Sequence, residues 1–129
     1  MEAVELDRLK ERWSQDEYLV LERSPETHGR IAALLKDPSA AADLQAEVGS
    51  LLAQGLAQIP TPQTRRQAAL AIWEQLKERA PAQHALQAEE LIGRLAEDPW
   101  AIVYLKKLFK ILAAQQGLKK LLQSSYLTD

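Results

Sequence analysis

Residues 99–122, PWAIVYLKKLFKILAAQQGLKKLL, are both the most apolar and the most basic stretch of the chain. Wound as a helix at about 100° per residue, the stretch sets Ala101, Ile102, Tyr104, Leu105, Leu108, Phe109 and Leu112 on one broad arc and Lys106, Lys107 and Lys110 opposite. An arc that wide has to pack against other elements, so it predicts a core helix with a cationic back. Asp98 and Pro99 form a start signal: the carboxylate accepts from orphan amides, and proline at the first helical position lacks the donor it would waste. Gly117 ends or kinks the helix, and a last turn carries Leu118, Leu121 and Leu122.

The rest of the chain supplies packing partners of the same kind. Residues 2–13 read as an amphipathic helix with Leu6, Leu9 and Trp13 on one side. Tyr18 to Leu21 has a strand-like composition, but nothing nearby offers it a pairing partner, so the helix is expected to continue. Ser24-Pro25-Glu26 starts a second helix reaching to Lys36. After the break at Asp37-Pro38-Ser39, a third is expected from Ala40 to Ala57, with Leu44, Val48, Leu51 and Leu52 inward and Gly49 and Gly55 weakening it. The prolines of Ile59-Pro60-Thr61-Pro62 make a connector. From Gln63 to Arg79, the stripe Ala69, Ile72, Trp73 and Leu76 marks another helix, flanked by Arg66 and Lys77. Pro81 opens one more, with Ala88, Leu91, Ile92 and Leu95 facing in. The expectation is an all-α fold, with residues 1–129 forming a single compact bundle of five to seven short-to-medium helices.

Composition narrows the functional classes. Hydrophobic residues make up 47% and charged residues 26% of the chain, which excludes a disordered class. There is no cysteine, so disulfides, thiolate metal sites, iron–sulfur ligation and cysteine nucleophiles are excluded from this polypeptide. The start, MEAVELDRLKERW, has no apolar signal region, and no apolar run of about eighteen residues occurs elsewhere, so a soluble, cytoplasmic protein without membrane contact is expected. Net charge is −2, but it is segregated: residues 99–129 hold five lysines and one acid, while residues 1–98 hold 11 basic and 17 acidic residues. A cationic end on an acidic body is able to bind phosphate locally, because screening limits the acidic remainder to a reach of about 8 Å at physiological salt.

Catalytic and metal-binding patterns are not found. His28 and His84 sit in separate helices without a carboxylate at ligand spacing, so no metal or cofactor is expected. The adjacent acids Glu89-Glu90 and Asp16-Glu17 diverge on a helix, and no serine lies in a glycine elbow. The chain is therefore expected not to be an enzyme. Trp13 and Trp73 read as core, whereas Trp100 projects midway between the apolar arc and Lys107, where it is placed to stack on a base or touch a partner.

The segment from Glu17 to Lys36, EYLVLERSPETHGRIAALLK, resembles the opening motif of the YbgA-like family, a domain of unknown function (number 1722), with Tyr18, Leu19, Val20, Leu21, Ser24 and Pro25 matching. The family's two histidines fall on Asp16 and Arg23. Arg66 to Ile72, RQAALAI, resembles its central-helix motif through Arg66 and Leu70, Pro99 to Lys110 resembles its later proline and lysine segment, and Tyr126-Leu127 its terminal pair. The resemblance implies a non-catalytic helical domain that helps hold tRNA, alone or beside a cysteine-rich desulfidase of the thiouracil type. On that basis Arg65, Arg66, Lys77, Lys106, Lys107, Lys110, Lys119 and Lys120 are expected to contact RNA phosphates. The alternative is a protein-interaction module that docks on a separate partner through an apolar patch near Trp100 and Leu118 to Leu122.

Overall fold

The computed structural model describes residues 3–128, so the expected helix start at Glu2 and the charge of Asp129 lie outside the described residues. All the regular structure in that span is helical: α1 (Ala3–Arg23), α2 (Pro25–Lys36), α3 (Leu44–Leu56), α4 (Pro62–Leu76), α5 (Ala82–Arg94), α6 (Ala101–Gln115) and two four-residue helices, α7 (Lys119–Leu122) and α8 (Ser125–Thr128). Six helices of twelve residues or more form the body, and no strand occurs among the described residues. The longest, α1, runs unbroken through Tyr18–Leu21, where buried Val20 and Leu21 meet other helices instead of a sheet.

Local chemistry sets the corners. Ser24 caps α2 by accepting from the Thr27 amide at 3.3 Å, Pro25 fills the first position, and α1 turns into α2 within one residue. Thr61 and Thr64 form a reciprocal capping box at the start of α4. The third helix begins at Leu44, four residues later than Ala40. Asp43 provides the cap that Asp37 does not, accepting from the Ala46 amide at 3.2 Å, while Pro38–Ala40 closes a 3₁₀ turn. Likewise α4 ends at Leu76, and the segment Lys77–Arg79 tightens to a 3₁₀ turn. Gln116 donates to the freed Leu76 carbonyl at 3.0 Å.

Two apolar clusters fill the molecule. The larger unites α4, α5 and α6 with the C-terminal pair α7 and α8, around Ile72, Leu76, Leu105, Phe109, Leu112 and Tyr126. The smaller joins α1 to α2 and α3 through Trp13, Val20, Ile31, Leu35, Leu44, Val48 and Leu51. Each fully buried leucine or isoleucine contributes about 1.5–3 kcal/mol by leaving water. α6 organises only the larger cluster. The element common to both is α1, which places Trp13 and Val20 in one and Leu21 in the other.

Candidate nucleic-acid interface

α6 buries Ala101, Leu105, Leu108, Phe109, Leu112 and Ala113, a narrower arc than its composition suggests. Tyr104, expected within that arc, is 60% exposed. It stands about 100° from Leu105, at the arc's edge. Trp100, Tyr104, Lys107 and Ile111 consequently form an outward stripe at spacings of four, three and four residues. Trp100 is 73% exposed, and its backbone amide donates to the Asp98 carboxylate at 3.1 Å. That bond lies ahead of the helix: α6 begins at Ala101, after Trp100 and with no side-chain cap, two residues later than the Asp98-Pro99 signal places it. Asp98 also accepts from Arg94 at 3.3 Å.

Between α5 and α6 lies a groove of about 350 Å³. Leu91, Leu108, Ile111 and the Tyr104 ring supply its apolar lining, Gln87 and Glu90 supply polar groups from α5, and Lys107 and Arg94 complete it. Arg94 is held by Glu90 at 3.6 Å and Asp98 at 3.3 Å, whereas α6 itself carries three lysines and no acid.

The eight expected cations do not share one surface. Arg66 and Lys77 line a different groove, between α4 and α5, together with Glu74 and Glu89. α5 thus separates them from Lys107. Lys77 is paired with Glu74 at 2.9 Å. Lys106, expected on the free back of α6, folds over the Tyr126 ring with its Nζ 4.4 Å from the centroid, a cation–π contact that holds α6 to α8. Arg65 is half-buried, and Lys110, Lys119 and Lys120 are exposed. Lys107 and Tyr104 line the same groove on α6, with Trp100 at the position just before the helix and Lys110 one turn further along it.

Leu118 to Leu122 is not an exposed patch: Leu121 is buried, and Leu118 and Leu122 pack against the larger core. The exposed large apolar side chains of α5 and α6 are Leu86, Val103, Tyr104 and Ile111 instead. Sequence reasoning missed Tyr104, Ile111 and Arg94. The available signal was the i, i+4, i+7, i+11 run from Trp100, hidden by drawing the buried arc too wide.

The two positions where the resemblance has histidines are structural here. Arg23 donates to the Leu56 and Gln58 carbonyls at 3.4 and 3.3 Å, closing the C-terminal end of α3. Asp16 accepts from Ser125 Oγ and ties α8 to α1. Near them, Tyr18 accepts from Gln75 Nε2, and burial, with the neighbouring Glu17 charge, pushes its hydroxyl up to about 12. His28 packs on Trp13, ring centroids 5.2 Å apart, and burial holds its pKa below the ordinary value. Among the described residues no group of three or more His, Asp or Glu gathers in metal-binding geometry, and no helix is long and apolar enough to cross a membrane.

A family model described as a protein of unknown function, DUF1722, matches residues 17–129. No curated protein and no solved structure matches the chain.

Proposed function

The chain belongs to the DUF1722 family, and we propose that it is a non-catalytic helical accessory domain that binds structured RNA, tRNA foremost, in the cytoplasm. One observation carries the reading: two aromatic rings, Trp100 at the cap of α6 and Tyr104 in its first turn, stand exposed on an element whose only charged residues are Lys106, Lys107 and Lys110. Rings that stack on bases beside cations that hold phosphates are the two parts a nucleic-acid surface needs. Lys107 and Lys110 supply the nearest phosphate contacts, with Lys119 and Lys120 beyond Gly117. Lys77 and Lys106 drop out because Glu74 and the Tyr126 ring already engage them.

With three or four phosphates engaged, affinity for tRNA falls roughly 50-fold between about 50 and 200 mM salt. Fluorescence anisotropy with labelled tRNA measures this directly, and Lys107→Glu with Lys110→Glu lowers both the affinity and the slope. Binding that is absent at low salt, or indifferent to salt and to the double substitution, refutes the reading.

A second reading has its own support in Leu86, Val103 and Ile111, apolar side chains exposed on α5 and α6. They suit docking on a protein partner such as a separate desulfidase. There Trp100→Ala abolishes a pull-down with that partner, while Lys107→Glu with Lys110→Glu leaves RNA binding as it was.

A further inference from the structure

We infer that the α5–α6 groove receives one unpaired nucleobase stacked on Tyr104, so that the RNA bound presents a loop, bulge or single-stranded end there and not a regular duplex. This rests on the RNA-binding reading and narrows it. A groove of about 350 Å³ lies at the small end of ligand-binding cavities. It matches a base with its sugar and is too small for a helix.

Its chemistry is divided as a base requires. Tyr104 offers a ring that, among the described residues, stacks on no other aromatic side chain. Leu91 and Ile111 add apolar contact, and Gln87 and Glu90 present donor and acceptor groups to a base edge. Lys107 belongs to the same lining and is exposed, so it is available to a flanking phosphate. Trp100, one turn before Tyr104, is the platform for a neighbouring base. In an A-form duplex bases are stacked inside and their faces are out of reach, so this division of groups is of use only for a base already splayed out.

Trp100 is also the reporter. Trp13 and Trp73 are 8% and 5% exposed, so a ligand that stacks at the surface changes the emission of Trp100 at 73%. The full chain is titrated, at about 50 mM salt, with single-stranded RNA of about eight nucleotides and with the same sequence as a blunt duplex. The expected result is quenching by the single strand, with affinity about tenfold above that for the duplex. Tyr104→Ala then loses about tenfold, whereas Tyr104→Phe, which keeps the ring, binds as the parent does. Circular dichroism checks that both variants stay helical, which the exposure of Tyr104 favours.

Equal affinity for strand and duplex, with Tyr104→Ala unchanged, overturns the nucleobase site and leaves RNA binding standing. Absence of binding to either RNA overturns both. Quenching that follows protein concentration without RNA overturns the site in favour of a protein occupant.

Discussion

Gly55 and Gly49 sit six residues apart in α3 and have opposite surroundings. A Cβ on Gly55 meets Val20 Cγ1 at 3.0 Å and Thr27 Cγ2 at 3.1 Å, both held by the packing of α1 and α2, whereas one on Gly49 meets nothing within 4 Å. Gly49→Ala is expected to stabilise by about 0.5–1 kcal/mol through helix propensity alone. Gly55→Ala, where overpacking costs about 1–3 kcal/mol against the same gain, is expected to destabilise. Urea unfolding of the two variants separates them. The low helix propensity of both glycines is readable from the residues, but the close approach at Gly55 depends on side chains twenty-eight and thirty-five positions away. Tyr126 offers a second contrast. Its ring is buried, and its hydroxyl has no hydrogen-bond partner among the described residues. Tyr126→Phe therefore removes an unsatisfied polar group and is expected to leave stability unchanged or raised, while Tyr126→Ala is expected to cost about 3–5 kcal/mol.

At the scale of elements, the end of α6 shows how closely sequence and geometry agree where the signal is local. Gly117 adopts φ +70°, its amide donates to Ala114 at 3.2 Å, and the Leu118 amide donates to Ala113 at 2.9 Å. That pair of bonds is a Schellman cap. Gly117→Ala is expected to cost about 1–2 kcal/mol, seen as a lower midpoint in thermal unfolding, because a Cβ disfavours the left-handed conformation. The start of α2 was legible at Ser24 because capping is decided within three residues, whereas Thr61, expected only as part of a connector, caps α4, and Asp98 does not cap α6. The start of α3 was placed four residues early because it was set directly after the break at Asp37-Pro38-Ser39, whereas the cap is Asp43, whose carboxylate accepts from the Ala46 amide. Faces were less legible than ends. Periodicity identifies the centre of an apolar arc, but its edge depends on how far a neighbour reaches. α5 leaves Tyr104 uncovered, and Lys106 is drawn to a ring twenty residues further on.

For the whole molecule, buried titratable groups give stability a defined pH window. His28 is held below its ordinary 6.5 by burial, so the unfolded chain takes up its proton first as pH falls. Stability is expected to drop on acidification through that range, and His28→Gln is expected to flatten that part of the profile in chemical unfolding. Tyr18 is raised from 10.0 to about 12 and Tyr126 is raised further still, chiefly by burial. Their contribution is whole below pH 10 and lost as pH climbs through the folded values, so alkaline unfolding is expected to begin above pH 10. The distribution of charge was visible along the chain, but its meeting in space was not, because α5 divides Arg66 from Lys107 and nothing in one dimension places a helix between them. The reading of the α5–α6 face as the RNA-binding surface meets its most direct test in ultraviolet crosslinking of the complex followed by peptide mapping. Adducts on Trp100, Tyr104 or Lys107, with none on α2 or α3, are the expected result. Adducts concentrated on α2 and α3, or spread evenly along the chain, contradict it.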